Sequence, residues 1–373
     1  MRLAVSRLDF QFYNIYGSNW GKDKTNMTPG RVLFAWGKVL TGRIPLLSIE
    51  ITRECPLRCP GCYAYGDMHL GGLVTLNQLN DLRGEALVER VIDLVKYHQP
   101  IHVSIVGGEP LIRHRELGRI LPVLSQIGVF TLVVTSGVIP IPQEWMAIKQ
   151  LRVAVSVDGL PEHHNRRRAP ATYERILQNI GGRHVNIHLV VTGPMMKRPG
   201  YLEEYLNFWT ARTEVDRIWM SVYTPQIGEQ SEEILTPAER QELVRQIPEL
   251  VRRFPALWIN EGMAQAFADP PANPRECLFS RMSVNYSADL KTRVEPCVFG
   301  GNPDCRQCGC AISAGLHWLG QLKLGPLKVS HAVRASMGLG TFVGSFRPGS
   351  MENRRWNATP HREEGAELAQ IKR

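Results

Sequence analysis

The chain has 373 residues, of which 43% are hydrophobic and 21% charged, with a formal net charge of +9. That length and composition allow one large packed unit, or one large and one small. No stretch reaches the roughly 18 apolar residues a membrane-spanning helix needs. The opening MRLAVSRLDFQFYNIYG lacks the long apolar run and small-residue cleavage site of a secretory signal, so a cytoplasmic location is the expectation. The basic balance favours anionic partners. It is strongest at residues 321–373, where nine Lys and Arg face four Glu and no Asp, the pattern of a solvated tail.

Residues 1–30 are polar and turn-rich, and RVLFAWGKVL at 31–40 reads as a short amphipathic helix, so 1–44 is taken as an N-terminal extension. A strand-then-helix rhythm follows. Apolar, β-branched runs at 46–52, 101–106, 129–135, 152–157, 184–192 and 216–223 suit strands buried on both faces of a parallel sheet. Residues 85–97 set Leu87, Val88, Val91, Ile92 and Val95 on one helical face, and 116–126, 171–181 and 200–211 are weaker versions. The segment 236–254 starts with Thr236 as N-cap and Pro237 at the first helical position. Six βα units fall short of the eight that close a full barrel. The fold class expected is therefore α/β: a partial (β/α)6 TIM-like barrel over residues 45–255, its crossovers right-handed. From about 270 the character changes to cysteines, glycines and a hairpin-like RMSVNYSADLKTRVEP. Residues 270–312 read as a small Cys-rich C-terminal domain and 313–373 as an extension, irregular from 345 on.

Eight cysteines fall in two groups separated by more than two hundred residues: Cys55, Cys59, Cys62, then Cys277, Cys297, Cys305, Cys308, Cys310. In a long cytosolic chain such spacing suggests metal or redox chemistry rather than disulfides. The first group, ITRECPLRCPGCYAYG, directly follows the first strand, where loops of parallel βα folds carry chemistry. Three thiolates ligate three irons of a cubane and leave the fourth open, whereas structural clusters usually have four Cys. Zinc is the alternative reading of the same spacing.

This loop, followed by Gly107-Gly108-Glu109-Pro110 after the second strand, resembles the radical S-adenosylmethionine (SAM) superfamily. The resemblance implies a [4Fe-4S] cluster on Cys55, Cys59 and Cys62 whose open iron binds SAM, and a 5′-deoxyadenosyl radical released on reduction. It implies that Gly107, Gly108 and Glu109 hold the SAM amino group. The family's aromatic residue before the third Cys is replaced by Gly61, with Tyr63 following the Cys instead, and Tyr63 is assigned to the SAM site on that basis. Small hydroxyl residues at Thr135-Ser136 suit the SAM carboxylate or ribose, and Ser156 with Asp158 suit ribose hydroxyls. In the following PEHHNRRR, read as a loop, Glu162, His164 and Arg168 fit the family pattern, with Arg168 a partner for the SAM carboxylate. At least one arginine of that run is expected to be plain solvated surface. By resemblance Val191 lines the adenine.

The second group resembles the twitch and SPASM auxiliary-cluster extensions of the superfamily. Five cysteines supply one four-Cys [4Fe-4S] cluster with a thiol left over, and four-thiolate zinc is again the alternative. Substrates implied are a peptide or small metabolite first, an isoprenoid or other lipid second. The apolar and basic 315–346 and the helix at 31–40 suit contact with a membrane surface, or ordinary core. A third reading is an iron–sulfur electron-transfer or scaffold protein without SAM chemistry. A flavodoxin- or ferredoxin-like reductant is implied, and nucleic acid is not expected. Tyr223, His188 and the unpaired Cys are candidates for proton transfer by position only.

Overall fold

In a computed structural model of the chain, residues 36–66, 68–71 and 78–345 are described. Seven strands form one parallel sheet: β1 (Leu46–Glu50), β2 (His102–Val106), β3 (Phe130–Thr135), β4 (Leu151–Ser156), β5 (Val185–Val191), β6 (Val215–Val222) and β7 (Ser283–Tyr286). Their order is β6-β5-β4-β3-β2-β1-β7. Neighbouring strands from β1 to β6 are consecutive in sequence and joined by crossovers, as an open α/β barrel requires.

The crossovers form helices for local reasons. In α1 (Gly84–His98), Leu87, Val88, Val91, Leu94 and Val95 recur at helical spacing and are buried. Helix α2 (His114–Gln126) buries Leu117, Ile120, Leu121 and Leu124. Helix α3 (Pro161–Arg168) occupies the stretch expected as a loop. Pro161 opens it at the first position, but the face it buries is His163, His164 and Arg167, so no apolar period announces it. Helices α4 (Tyr173–Ile180), α5 (Gly193–Met196) and α6 (Tyr201–Thr210) follow in order. Helix α7 (Pro237–Arg253) opens with a full capping box: Glu239 N–H donates to Thr236 Oγ1 at 3.2 Å, and Thr236 N–H to Glu239 Oε2 at 2.8 Å.

The strands alternate. On β5, Ile187, Leu189 and Val191 are fully buried in the helix-packed core, as are Val153 and Val155 on β4 and Ile218 on β6. Burial of each such side chain contributes about 1.5–3 kcal/mol. The opposite, inner face carries Ser48 and Glu50 on β1, Ser104 on β2, Ser156 on β4, His188 on β5 and Ser221 on β6. A polar inner face at the end of an apolar core is the setting of a site.

The C-terminal third builds onto this sheet. The expected hairpin forms as a turn, with Ser287 N–H donating to Thr292 O and Val294 N–H to Asn285 O. Its first strand, β7, pairs in parallel with β1, from Leu46 opposite Ser283 to Ile49 opposite Tyr286. Helices α8 (Glu261–Ala268), α9 (Leu278–Met282), α10 (Ala311–Gln321) and α11 (Val329–Gly344) follow, with a two-stranded β8 (Lys323–Leu324) and β9 (Leu327–Lys328). Helix α11 packs against the helical turn at 36–40: a Cβ on Gly340 would lie 2.0 Å from Val39 O, and Trp36 Nε1 donates to Ser336 Oγ at 3.1 Å. Contact through glycines leaves little hydrophobic period, which is why this helix is not legible in the sequence. The expectations for residues 1–30 and for the tail after 345 lie outside the described residues. No helix of the described residues is long and apolar enough to cross a membrane.

Candidate active site

The loop after β1 is fixed before its first cysteine. Asp81 accepts from Thr52 Oγ1 (2.8 Å), from Arg53 N–H (2.8 Å) and from Arg53 Nε (2.5 Å). Burial alone would raise the Asp81 carboxyl, but the Arg53 and Thr52 hydrogen bonds outweigh it and hold it below the usual range. Arg113 donates to Glu54 at 2.5 Å, and the Tyr65 hydroxyl donates to Arg53 O. The two glycines of Gly107-Gly108-Glu109 let the strand end lie directly on this loop. A Cβ on Gly107 would stand 2.6 Å from Thr52 O, and one on Gly108 2.2 Å from Glu54 O. Gly108 N–H donates to Thr52 O at 2.7 Å and Glu109 N–H to Glu54 O at 2.8 Å. The sequence suggests close approach to a ligand; the structure shows close approach of one backbone to another.

Glu109 is fully buried. Its carboxylate accepts from Leu111 N–H (2.9 Å), Thr135 Oγ1 (2.6 Å), Ser136 N–H (2.8 Å) and the Ser136 hydroxyl. Glu109 and Ser136, both assigned to SAM in the sequence, are thus partners of each other. Together they tie the end of β2 to the end of β3.

Cys55, Cys59 and Cys62 lie partly buried on the loop. Burial pushes all three thiols up, Cys62 to about 11. The Arg168 guanidinium opposes that shift at each of them. Arg168 Nε donates to Asp158 Oδ2 at 2.7 Å, and Arg167 bridges Asp158 to Glu233. Burial would raise Asp158, but the charges of Arg168 and Arg167 hold it down at about 2. Asp158 Oδ1 and Glu233 Oε2 are buried and lack a hydrogen-bond partner among the described residues. Arg166, by contrast, is exposed, the solvated member of the run. His164 is spent on structure: Asp158 N–H donates to its Nδ1 at 3.0 Å and its Nε2 meets Ala171 O at 2.7 Å.

Tyr63 turns toward the second cysteine group. Its ring packs edge-on against Phe299 (centroids 5.5 Å) and tilted on His69 (5.9 Å). Burial, Glu50 and the thiols of Cys62, Cys310 and Cys297 push its hydroxyl upward. His69 joins Glu50 at 2.6 Å, and Ser287 donates to the other Glu50 oxygen at 2.8 Å. Ser156 sits on the inner face opposite His188 in register. Val191 is fully buried in the outer core, with its neighbour Val190 on the inner face. His188 Nε2 meets Ser221 Oγ at 2.9 Å, and burial pushes the imidazole down to about 4.

The five later cysteines gather in one neighbourhood. Cys277 caps α9, accepting from Ser280 N–H at 3.4 Å and meeting Ser313 Oγ at 3.3 Å. Burial and then neighbouring thiols push Cys305 and Cys310 to about 12, with Cys308 and Cys277 acting on both. Arg240, buried, donates to Gln307 O (2.9 Å) and Cys308 O (3.3 Å). No three Cys, His, Asp or Glu side chains among the described residues converge on the position of a single metal ion. Asp81, Arg113, Glu233 and Arg240 escape a reading of the sequence, since each lies far along the chain from the loop it holds.

Residues 49–206 match the Radical SAM superfamily model, which covers every residue discussed above on the first cysteine loop and on β2 to β5. This stretch is a radical SAM domain. In fold it is similar to anSMEcpe with bound AdoMet, at a TM-score of 0.50 and 15% identity over 68% of this chain and 74% of that one. It is also similar to Streptococcus suis SuiB bound to precursor peptide SuiA, at a TM-score of 0.52 and 16% identity over 80% and 71%. No curated protein matches the chain.

Proposed function

We propose that the enzyme cleaves SAM at Cys55, Cys59 and Cys62 and directs the radical at a peptide or small metabolite held over the polar inner face of the sheet, with an auxiliary [4Fe-4S] cluster in the 277–310 group. The observation that carries this is the three-thiol loop at the carboxyl end of β1, clamped by Gly107–Glu109 and faced by the Arg168–Asp158 pair. The donor set fits a cluster with one open iron. When bound and reduced, that cluster would supply the one electron that cleaves SAM to methionine and a 5′-deoxyadenosyl radical, which becomes 5′-deoxyadenosine on taking a hydrogen atom from the substrate. The residues around it orient SAM: the bare Asp158 Oδ1 and Glu233 Oε2 suit ribose hydroxyls, and Arg168 keeps positive charge beside the thiolates.

The auxiliary cluster is supported by the gathering of five thiols in one neighbourhood, where Cys277, Cys308 and Cys310 all act on Cys297 and Cys277 and Cys308 act on Cys305. A peptide substrate is supported by the SuiB complex, which shares the fold. The lipid reading has one observation on its side: Leu327 on β9 and Leu339 and Phe342 on α11 are more than half exposed. Flotation with anionic vesicles at low salt tests it, and protein left at the bottom of the gradient removes it. The main reading is tested by anaerobic reconstitution, reduction by dithionite or by a flavodoxin- or ferredoxin-like protein, and addition of SAM. The wild type is expected to release 5′-deoxyadenosine and Cys59→Ala none. No nucleoside from wild-type protein with its full iron would sink it.

A further inference from the structure

The residues that follow β6 touch both cysteine groups at once. On one side they are stitched to the stretch carrying Cys305 and Cys308. Val222 N–H donates to Gly309 O at 2.8 Å, Gly309 N–H to Thr224 Oγ1 at 2.8 Å, and Asp304 N–H to Pro225 O at 2.9 Å. Asn302 N–H donates to Gln226 Oε1 at 2.7 Å, and Ile227 N–H to Asn302 O at 2.9 Å. The approach is as close as two backbones permit: a Cβ on Gly309 would lie 2.0 Å from Val222 O.

On the other side Tyr223 reaches the first group. Gly61, between Cys59 and Cys62, has φ +64°, and a Cβ there would stand 2.0 Å from Tyr223 Oη and 2.8 Å from Cζ. The ring therefore rests on the turn that spaces those two thiols. Tyr223 is itself pinned. It is buried, its hydroxyl donates to Glu229 Oε1 at 2.6 Å, and Gln226 N–H donates to the other Glu229 oxygen at 2.9 Å. A shift of the 302–309 stretch moves Val222–Gln226 with it, and Tyr223, buried and tied to Glu229, carries the movement to Gly61.

We infer that Tyr223 is a positioning residue through which occupancy of the Cys277–Cys310 group sets the affinity of the Cys55, Cys59, Cys62 site for SAM. This rests on the metal-bearing reading of the second group proposed above. The test is a double-mutant cycle on reconstituted full-length protein: wild type, Cys305→Ser with Cys308→Ser, Tyr223→Ala, and all three together. The readouts are iron per chain, the SAM dissociation constant by equilibrium dialysis, and the shift that SAM produces in the paramagnetic resonance of the reduced first cluster. Removing the two cysteines is expected to cost about four irons per chain and to weaken SAM about tenfold, within the usual span of coupling between sites. Tyr223→Ala is expected to weaken SAM similarly with all iron retained, and the triple variant to be no weaker than Tyr223→Ala alone. Tyr223→Phe keeps the ring and is expected to stay near wild type. If Tyr223→Ala fails to fold or to hold iron, Gly61→Ala replaces it, since its Cβ displaces the ring from the other side. Additive losses, or SAM affinity unchanged when the second iron is gone, overturn the inference. Iron unchanged in the cysteine variant overturns the second-cluster reading on which it rests, and wild-type protein that binds no SAM overturns the SAM reading itself.

Discussion

Glu109 shows what a single residue type tells and what it hides. In the sequence it is a motif acid, assigned to the amino group of SAM. In the structure both of its oxygens are occupied by Leu111, Thr135 and Ser136, so its first task is to hold two strand ends together. Glu109→Gln turns one acceptor oxygen into a donor that faces other donors. The cost expected is on the order of 3 kcal/mol, since buried donors are left unsatisfied beside a lost charge-assisted bond. Ser136→Ala removes one donor and leaves three, and is expected to cost about 1 kcal/mol. Urea midpoints of the metal-free proteins check both, and a near-neutral Glu109→Gln would return the carboxylate to a ligand role. The residues proposed for the chemistry were legible because they match a family pattern: three cysteines at fixed spacing, two glycines, an acid, Asp158 and Arg168. Their supports were not. Arg53 meets Asp81 28 residues on, Glu54 meets Arg113 at a separation of 59 and Arg167 meets Glu233 at 66. A single sequence gives no sign of which distant charge will be the partner.

Among the elements, period decided legibility. All six expected barrel strands are present, as are the four helices expected from apolar period, because each buries an apolar face in the core, and so is α7, expected from its Thr236 cap. Helix α3 buries histidines and an arginine, and α11 packs through glycines, so neither leaves such a trace. The α11 contact is open to a direct test. Gly340→Val places side-chain atoms where Val39 O stands, so the helix is expected to detach from the 36–42 turn while the barrel stays folded. Faster proteolytic cleavage within 329–344, with the far-UV spectrum otherwise kept, is the outcome that fits; an unchanged digestion rate would mean the turn simply moves. A second element-scale prediction concerns the join between α1 and β7. His98 meets the Tyr286 hydroxyl at 2.9 Å, and burial, then Arg293 and Arg90, push it down to about 4. A histidine whose folded value is depressed favours the native state above its unfolded value near 6.5, and that stability is lost as pH falls from there toward 4. The loss over that window is on the order of 3 kcal/mol. His98→Gln, which retains a hydrogen-bonding group, is expected to show a flatter fall in urea midpoint between pH 7 and 4.5. His102, His164 and His188 share the same direction, so the slope should flatten without vanishing.

At the scale of the molecule, the two cysteine groups differ in which segments of the fold hold them. The first loop is secured by Asp81, Arg113 and the backbone bonds from Gly108 and Glu109. The second group joins more of the fold: Cys277 caps α9 beside β7, Cys310 directly precedes α10, and the stretch between them is stitched to the end of β6. β7 pairs with β1 and β6 is the opposite edge of the sheet, so these thiols gather segments from both ends of the order β6-β5-β4-β3-β2-β1-β7. Because metal binding free energy is also folding free energy, the energy of a cluster at the second group is shared across the whole sheet. At the first group it is confined to one loop already held by its neighbours. Replacing Cys55, Cys59 and Cys62 by Ala in reconstituted protein is therefore expected to remove about four irons per chain and leave the thermal midpoint within a degree or two. Replacing Cys277, Cys297, Cys308 and Cys310 by Ser is expected to remove a similar amount of iron and lower the midpoint by several degrees. Iron analysis paired with anaerobic thermal melts reads both quantities. The reverse order of the two midpoints would place the stabilising metal on the SAM loop and leave the sheet's two edges joined by packing alone.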